Sequence, residues 1–133
     1  MEAVAGKCLD GIPLREYLLF MACEVEYTDE FGAWWETLEE SQQEDVEATV
    51  TELERRATSL PYPYSSKVTS SKYSHMRALR IQSSGQPLRI FYAFDPRRVA
   101  MLLIGGNKKG DDLFYERMVP LADALYKVHL ESL

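Results

Sequence analysis

Hydrophobic and polar positions follow two different periods along this chain, and the change between them divides it. Cys23, Val25 and Tyr27 alternate with Glu24 and Glu26, the pattern of a short half-buried strand. Phe31, Trp34, Trp35 and Leu38 then fall at i, i+3, i+4 and i+7, one face of a helix that Thr28 or Asp29 can cap. That helical spacing makes the adjacent tryptophans core anchors before it makes them a ligand platform. Ser41, with Glu44 three residues on, has the form of a capping box. Val46, Val50, Leu53, Ala57 and Leu60 carry the stripe of a second helix, and Glu44, Asp45, Glu47, Glu52 and Glu54 are expected to face water. Few residues separate the two stripes, so the helices are expected to form an antiparallel hairpin.

From Met76 the period is two. Arg77, Leu79 and Ile81 share one face of a predicted strand, and Ala78, Arg80 and Gln82 share the other. After a turn at Ser83–Pro87, Leu88, Ile90, Tyr92 and Phe94 alternate with Arg89, Phe91 and Ala93. Asp95-Pro96 has the residues of a type I turn. Val99–Ile104 is apolar throughout, as a central strand is. Turns this short predict an antiparallel three-strand meander. Pro61 and Pro63 end the second helix, and Leu60–Ser71 (LPYPYSSKVTSS) is expected to be an irregular, polar, ordered loop. Tyr115, Met118, Val119, Ala122, Leu125, Tyr126 and Leu130 suit a final helix, capped by Asp111 or Asp112, which Pro120 should kink or break.

The predicted class is therefore α+β: a small antiparallel sheet, formed by an N-terminal strand and the meander, packed against an N-terminal helix hairpin and a C-terminal helix. All the helices are expected on one side of the sheet, against Leu79, Ile81, Ile90 and Tyr92, so Arg89 is expected to point outward from the other side. Residues 1–20 have no clear period and are broken by Gly11 and Pro13; they are expected to be a flexible extension. Residues 21–133 are expected to form a single domain.

Composition narrows the function classes. The chain has 46% hydrophobic and 27% charged residues, ordinary for a globular protein. Its two cysteines, Cys8 and Cys23, make no disulfide framework, and no Cys/His spacing suits a metal. No cofactor is expected. The apolar run Tyr17–Cys23 is too short for a membrane span, no basic segment of a signal peptide precedes it, and the expected setting is cytoplasmic.

Net charge is −6, yet it is unevenly spread. Residues 1–64 contain 4 Lys/Arg and 15 Asp/Glu, whereas residues 65–117 contain 10 Lys/Arg and 4 Asp/Glu. Such asymmetry fits a basic face on an acidic body, and it fits acidic helix exteriors beside a sheet with scattered cations equally well. The candidate constellation is Arg80 and Arg89 on neighbouring strands, Lys108 and Lys109 after the third, and Tyr115 in the last helix. In a meander these can converge at one edge. Arginine forks and lysine point charges suit phosphate, and tyrosine suits a base. Lys72, His75 and Arg77 add candidate nucleic-acid contacts. The spacing GGNKKG is not that of a P-loop.

The segments YTDEFGAWWETL, MRALRIQSSGQPLRIFYAFDPRRVAMLLIGGNKKG and LFYERMVPLADALYKVHL, in this order, resemble the RelE/HigB toxin superfamily, and within it the phage-derived Gp49-like or HigB-like proteins. The resemblance covers about residues 21–130. It implies a toxin of a two-gene toxin–antitoxin system that cuts messenger RNA on the ribosome, without metal, by attack of the 2′-hydroxyl. It implies that Arg80 is a catalytic cation, that Arg89 holds phosphate, that Lys109 is the basic residue after the last strand, and that Tyr115 stacks on the nucleotide. Ala78 stands where RelE has a further lysine, which leaves the general base open between Tyr115 and His75. The implied partners are a cognate antitoxin of helix-turn-helix type, messenger RNA and the ribosome, with no membrane. ParE-like relatives that inhibit DNA gyrase without catalysis, or a degenerate protein that only binds an antitoxin, are the alternatives. Arg97, in the turn after Asp95, is expected to be a remote surface cation.

Overall fold

A computed structural model describes residues 22–133, together with the backbone pairing of Cys8–Leu9 with Ile12–Pro13. The expectation for residues 1–20 otherwise lies outside the described residues. The main elements are β1 (Val25–Tyr27), α1 (Asp29–Glu36), α2 (Glu40–Arg56), β2 (Ser65–Lys67), β3 (Arg77–Ser83), β4 (Gln86–Phe94), β5 (Ala100–Asn107) and α3 (Phe114–Glu131). They form one five-stranded sheet in the order β1-β5-β4-β3-β2, with the helices packed on it. The α+β class and the antiparallel meander are as expected.

Three features of the sheet differ from the expectation. First, β1 runs parallel to β5, with Val25 opposite Ala100 and Tyr27 opposite Leu102. Thr28 ends β1 and at once caps α1: its Oγ1 accepts from the Phe31 N–H at 3.0 Å and donates to the Leu103 carbonyl at 2.6 Å. This fixes the direction in which the chain leaves the sheet. Second, the loop after α2 contains the edge strand β2, whose Ser65 and Lys67 lie opposite Leu79 and Arg77. Third, the helices cover both faces. Leu79, Ile81, Leu88, Ile90, Tyr92, Ala100 and Leu102 pack with Phe31, Val46, Leu53 and Leu60 on the side of α1 and α2. Ala78, Phe91, Ala93, Met101 and Leu103 pack with Phe114, Met118, Val119, Ala122 and Tyr126 of α3 on the other. The Ala78, Phe91 and Ala93 positions are as apolar as their neighbours, and both sides of the sheet therefore need cover. Among the described residues, both faces of the sheet are packed by helices, and the expected basic face open to water is not formed.

β5 also runs further than the apolar pattern, to Asn107. Its register against β4 shifts between Phe91, opposite Ile104, and Tyr92, opposite Leu102. The bulge turns both Leu103 and Ile104 toward α3, and Gly105 then faces α1. A methyl group on Gly105 would come within 2.3 Å of the Trp34 ring, and one on Gly106 within 2.9 Å of the Phe114 ring. The Gly-Gly pair is thus the place where an aromatic ring lies directly on the strand from each side.

Two helix ends are set differently from the sequence reading. The α2 box uses Glu39 and Gln42, whose Oε1 accepts from the Glu39 N–H at 3.0 Å, instead of Ser41 and Glu44. Asp111 precedes α3 and accepts from the Leu113 N–H at 3.1 Å, but the helix itself starts at Phe114. Pro120 lies inside α3 without ending it. An internal proline costs about 3 kcal/mol. Burial of Phe114, Met118, Val119, Ala122 and Tyr126 around it, at roughly 1.5–3 kcal/mol for each large side chain, outweighs that.

The turn between β4 and β5 carries a buried charge cluster. The Asp95 side chain is fully buried and accepts from Arg97 Nε at 3.0 Å, Arg97 Nη2 at 2.7 Å, the Val99 N–H at 3.2 Å and His129 Nε2 at 2.8 Å. Arg97 also reaches Glu26 at 3.0 Å. It ties the turn to β1, and is not the remote surface cation expected. Burial pushes the Asp95 carboxyl up, but the hydrogen bonds from Arg97, His129 and the Val99 and Arg97 backbone outweigh it and hold the group at about 2, below the ordinary 3.8. The unfolded chain therefore takes up this proton first as pH falls. The stabilisation is complete above about pH 4 and is lost as pH drops through about 2. Asp95→Asn should lower stability by about 2 kcal/mol at neutral pH. In urea titrations the gap between wild type and variant should close between pH 4 and 2; a gap that stays constant across that window contradicts this account.

Candidate phosphate site at the sheet edge

β2 pairs only with Arg77–Leu79, so the outer edge of β3 is uncovered by a strand from Arg80 onward. The Arg80 N–H donates to the Tyr64 carbonyl at 2.9 Å and ends that pairing. A cavity of about 430 Å³ opens there, lined by Asp45 and Thr49 of α2, Pro63 and Tyr64 of the loop, and Arg80, Gln82 and Arg89 of the sheet, among others.

Arg80 and Arg89 are direct cross-strand partners. Like charges so placed repel, and a sheet ordinarily avoids them. Arg80 turns its guanidinium over the Tyr62 ring, 5.0 Å from its centroid, a cation–π contact. Arg89 was expected to point outward from a central strand; it is instead only 7% exposed. Its Nη1 donates to the Leu88 carbonyl at 3.0 Å, and its Nε is buried with no hydrogen-bond partner among the described residues. No carboxylate among the described residues forms a salt bridge with it. A guanidinium keeps its charge in a protein, and burying one unpaired costs several kcal/mol. A doubly coordinated oxyanion supplies what this environment omits.

The remaining predicted residues divide into two groups. Gly106 lies opposite Arg89, and Asn107 opposite Leu88, which brings the following Lys108 and Lys109 to the same end of the sheet. The Lys108 N–H donates to the Pro87 carbonyl at 2.9 Å, and the Lys109 N–H to Asn107 Oδ1 at 2.9 Å. Tyr115, half-buried, meets the Phe91 ring edge-on at 5.7 Å; Phe91 is the next residue after Arg89 on that face. Neither lysine nor Tyr115 lines the cavity itself. Lys72, His75 and Arg77 lie elsewhere. The Lys72 N–H donates to Asp123 at 2.9 Å, and His75 Nε2 meets the Tyr126 hydroxyl at 2.9 Å, which ties the loop before β3 to α3. Arg77 Nε donates to Ser65 Oγ at 2.8 Å, and Ser65 Oγ meets the Tyr92 hydroxyl at 2.6 Å. This buried network joins β2, β3 and β4. Burial raises the Tyr92 hydroxyl above its ordinary value despite the Ser65 and Arg77 contacts that oppose the rise.

Asp45, Thr49, Tyr64 and Gln82 were not anticipated at a site. Asp45 reads as part of the acidic exterior of α2, yet its Oδ2 accepts from the buried Ser83 hydroxyl at 2.6 Å. Only the packing of α2 over β3 brings it there. The alternation of proline and tyrosine in PYPY was the one available sign that rings are presented at this place.

The fold is that of RelE. The E. coli toxin RelE, solved as a mutant in the free state, superposes with a TM-score of 0.52 at 13% identity, over 74% of this chain and 96% of that one. The RelE–RelB complex from Pyrococcus horikoshii superposes with a TM-score of 0.50 at 13% identity, over 68% of this chain and 99% of its match. At such identity the likeness is one of fold. The model of the phage-derived protein Gp49-like family (DUF891) matches residues 33–127, and the chain belongs to this family. Two candidate toxins of Mycobacterium tuberculosis are similar in sequence. HigB2 is 34% identical over 104 residues, 77% of this chain and 52% of the relative. HigB3 is 35% identical over 91 residues, 68% of this chain and 78% of the relative. The chain thus spans about half the length of HigB2.

If Arg89 is an unpaired buried charge kept for an anion, removing it should stabilise the empty protein. Arg89→Met should raise stability by about 1 kcal/mol or more, since an apolar side chain of similar length removes the desolvation cost. Sulfate or phosphate should raise the Tm of the wild type by more than that of Arg89→Met. A destabilised variant with an unchanged anion response contradicts the assignment.

Proposed function

We propose that this chain is the toxin of a type II toxin–antitoxin pair and acts as a ribosome-dependent endoribonuclease on messenger RNA. The observation that carries the reading is the buried, unpaired Arg89 guanidinium beside Arg80 in one cavity. A gyrase inhibitor that only binds protein has no need of two converging guanidinia. The sequence similarity to the HigB candidate toxins and the shared fold with RelE support the same reading.

In the proposed reaction the 2′-oxygen of one nucleotide attacks the adjacent phosphorus and the 5′-oxygen of the next leaves. The products are a 2′,3′-cyclic phosphate and a 5′-hydroxyl, and no cofactor enters the balance. The protein has to align the chain, stabilise the added charge on the phosphoryl oxygens and move two protons. Arg89 holds two of those oxygens, Arg80 approaches from the neighbouring strand, and Lys109 adds charge from the end of β5. Tyr115 stacks on a nucleotide. Asp45 brings to the cavity a carboxylate able to accept the 2′-proton. His75, hydrogen-bonded to Tyr126, has no such place; Arg77 is bound to Ser65, and Lys72, although exposed, does not line the cavity.

The partner that silences this activity is an antitoxin of helix-turn-helix type, drawn to the basic residues of the second half of the chain by its own acidic residues. No helix among the described residues is long and apolar enough to cross a membrane, and the proposed reaction places the protein with the ribosomes in the cytoplasm.

Primer extension on translated messenger RNA after induction tests the activity. Wild type should give discrete cuts within codons. Arg89→Ala should lose roughly a hundred- to thousandfold in cleavage rate, the usual effect of removing one preorganised charge stabiliser. Arg89→Lys should recover only part, because an ammonium cannot make the bidentate contact. Lys67→Ala, an exposed cation on β2, is the control and should cut as wild type does. Uncut messages together with gyrase-dependent DNA damage would identify the other class of toxin.

A further inference from the structure

The tyrosines of the loop between α2 and β2 are unusually placed. Tyr62 is 68% exposed and Tyr64 47%, whereas Tyr92 and Tyr126, which pack against the sheet, are buried; Tyr27 of β1 is exposed as well, at 63%, but lies away from Arg80 and Arg89. Their backbone is not loose. Tyr64 and Ser65 both donate to the Pro61 carbonyl, at 2.9 and 3.1 Å, and the Tyr64 carbonyl accepts from Arg80. Ser65, fully buried, anchors the end of the loop through Tyr92 and Arg77. The loop therefore holds two aromatic rings in water on a fixed base.

Their position is equally particular. Tyr64 lines the cavity that contains Arg80 and Arg89. Tyr62 has the Arg80 guanidinium over its ring, and its high exposure leaves ring surface free. An aromatic ring beside a phosphate-sized cationic pocket, itself stacked on a cation, is the arrangement by which proteins hold single-stranded nucleic acid: the cation takes the backbone and the ring takes the base. Tyrosine does this at low conformational cost, because only two side-chain torsions have to be fixed.

We propose that Tyr62 and Tyr64 form a stacking platform for the nucleobases that flank the phosphate held by Arg80 and Arg89. This rests on the ribonuclease reading and adds a second aromatic contact to it, from the loop at the sheet edge, whereas Tyr115 lies on α3 against Phe91 of the central strand β4. Tyr62 continues a stack begun by Arg80, and Tyr64 closes the cavity over the neighbouring base. Gln82 of β3, in the wall of the same cavity, offers donor and acceptor groups to the edge of a base held there.

The test is binding of the full chain to ribosomes programmed with messages made uncleavable by 2′-deoxy nucleotides. One message keeps its bases at the cut position, and another carries abasic residues there. Wild type should bind the intact message roughly five- to hundredfold tighter. The variant Tyr62→Ala/Tyr64→Ala should bind both messages alike, and Tyr62→Phe/Tyr64→Phe should restore the preference, which a merely structural role for the hydroxyls or the loop would not do. A wild type indifferent to the missing bases, or an alanine variant that keeps the preference, overturns the platform. Arg89→Ala separates the two claims. If it weakens binding while the alanine variant does not, the phosphate site stands and the platform falls; if neither variant changes binding, both fall.

Discussion

A guanidinium held nearly out of water, with one neighbouring carbonyl as its hydrogen-bond partner, is the constraint around which the functional end of this protein is built. Arg89 lies on a strand covered from both sides, directly across from Arg80. Neither Coulomb repulsion nor desolvation favours that pairing. It persists because the surrounding sheet is fixed by burial on both faces, with Leu79, Ile90 and Tyr92 on one side and Phe91, Ala93 and Leu103 on the other. The apolar packing supplies the stability, and the arginine pair draws on it to keep an unsatisfied charge ready for a ligand.

The same two-sided cover explains where a substrate can approach. A sheet with both faces packed offers its edges and its strand ends. One edge is β1, which lies far from the arginine pair and passes through Thr28 into α1. At the other edge β2 is only three residues long, and beyond it β3 is open. The PYPY loop, α2 and the two arginines meet in that gap. At the neighbouring end of the sheet, the Gly105-Gly106 pair lets Trp34 and Phe114 lie close on β5 from opposite sides. Lys108 and Lys109 follow within three residues.

Much of this was legible in the residues. The two apolar stripes, the period-two runs and the Asp95-Pro96 turn place α1, α2 and the meander. Arg80 and Arg89 follow from alternation together with the family resemblance. What was not legible has common physical causes. Alternation assigns a residue to a face but does not say whether that face is wet, so Arg89 was read as outward when α3 covers its side. The apolar character of Ala78, Phe91 and Ala93 was the signal for a second covered face. β2 is a polar strand, Ser65–Lys67, stabilised by pairing and by the Ser65–Tyr92 contact, and it has no hydrophobic pattern to find. Asp45 and Arg97 look like solvated charges until tertiary packing gives each a partner far away in sequence, Ser83 for the one and Glu26 for the other. Pro120 misled in the opposite direction, because local propensity lost to the burial around it.

The central claim is that the Arg80–Arg89 cavity takes the charged phosphodiester at the cut position. It is tested most directly by changing the charge of the ligand and nothing in the protein. Ribosomes are programmed with an uncleavable message that carries, at that junction, either an ordinary phosphodiester or a neutral methylphosphonate, and the affinity of the wild-type chain is measured for each. Loss of the charge-assisted contacts should weaken binding by roughly tenfold or more. Equal affinity for the charged and the neutral junction would contradict the account.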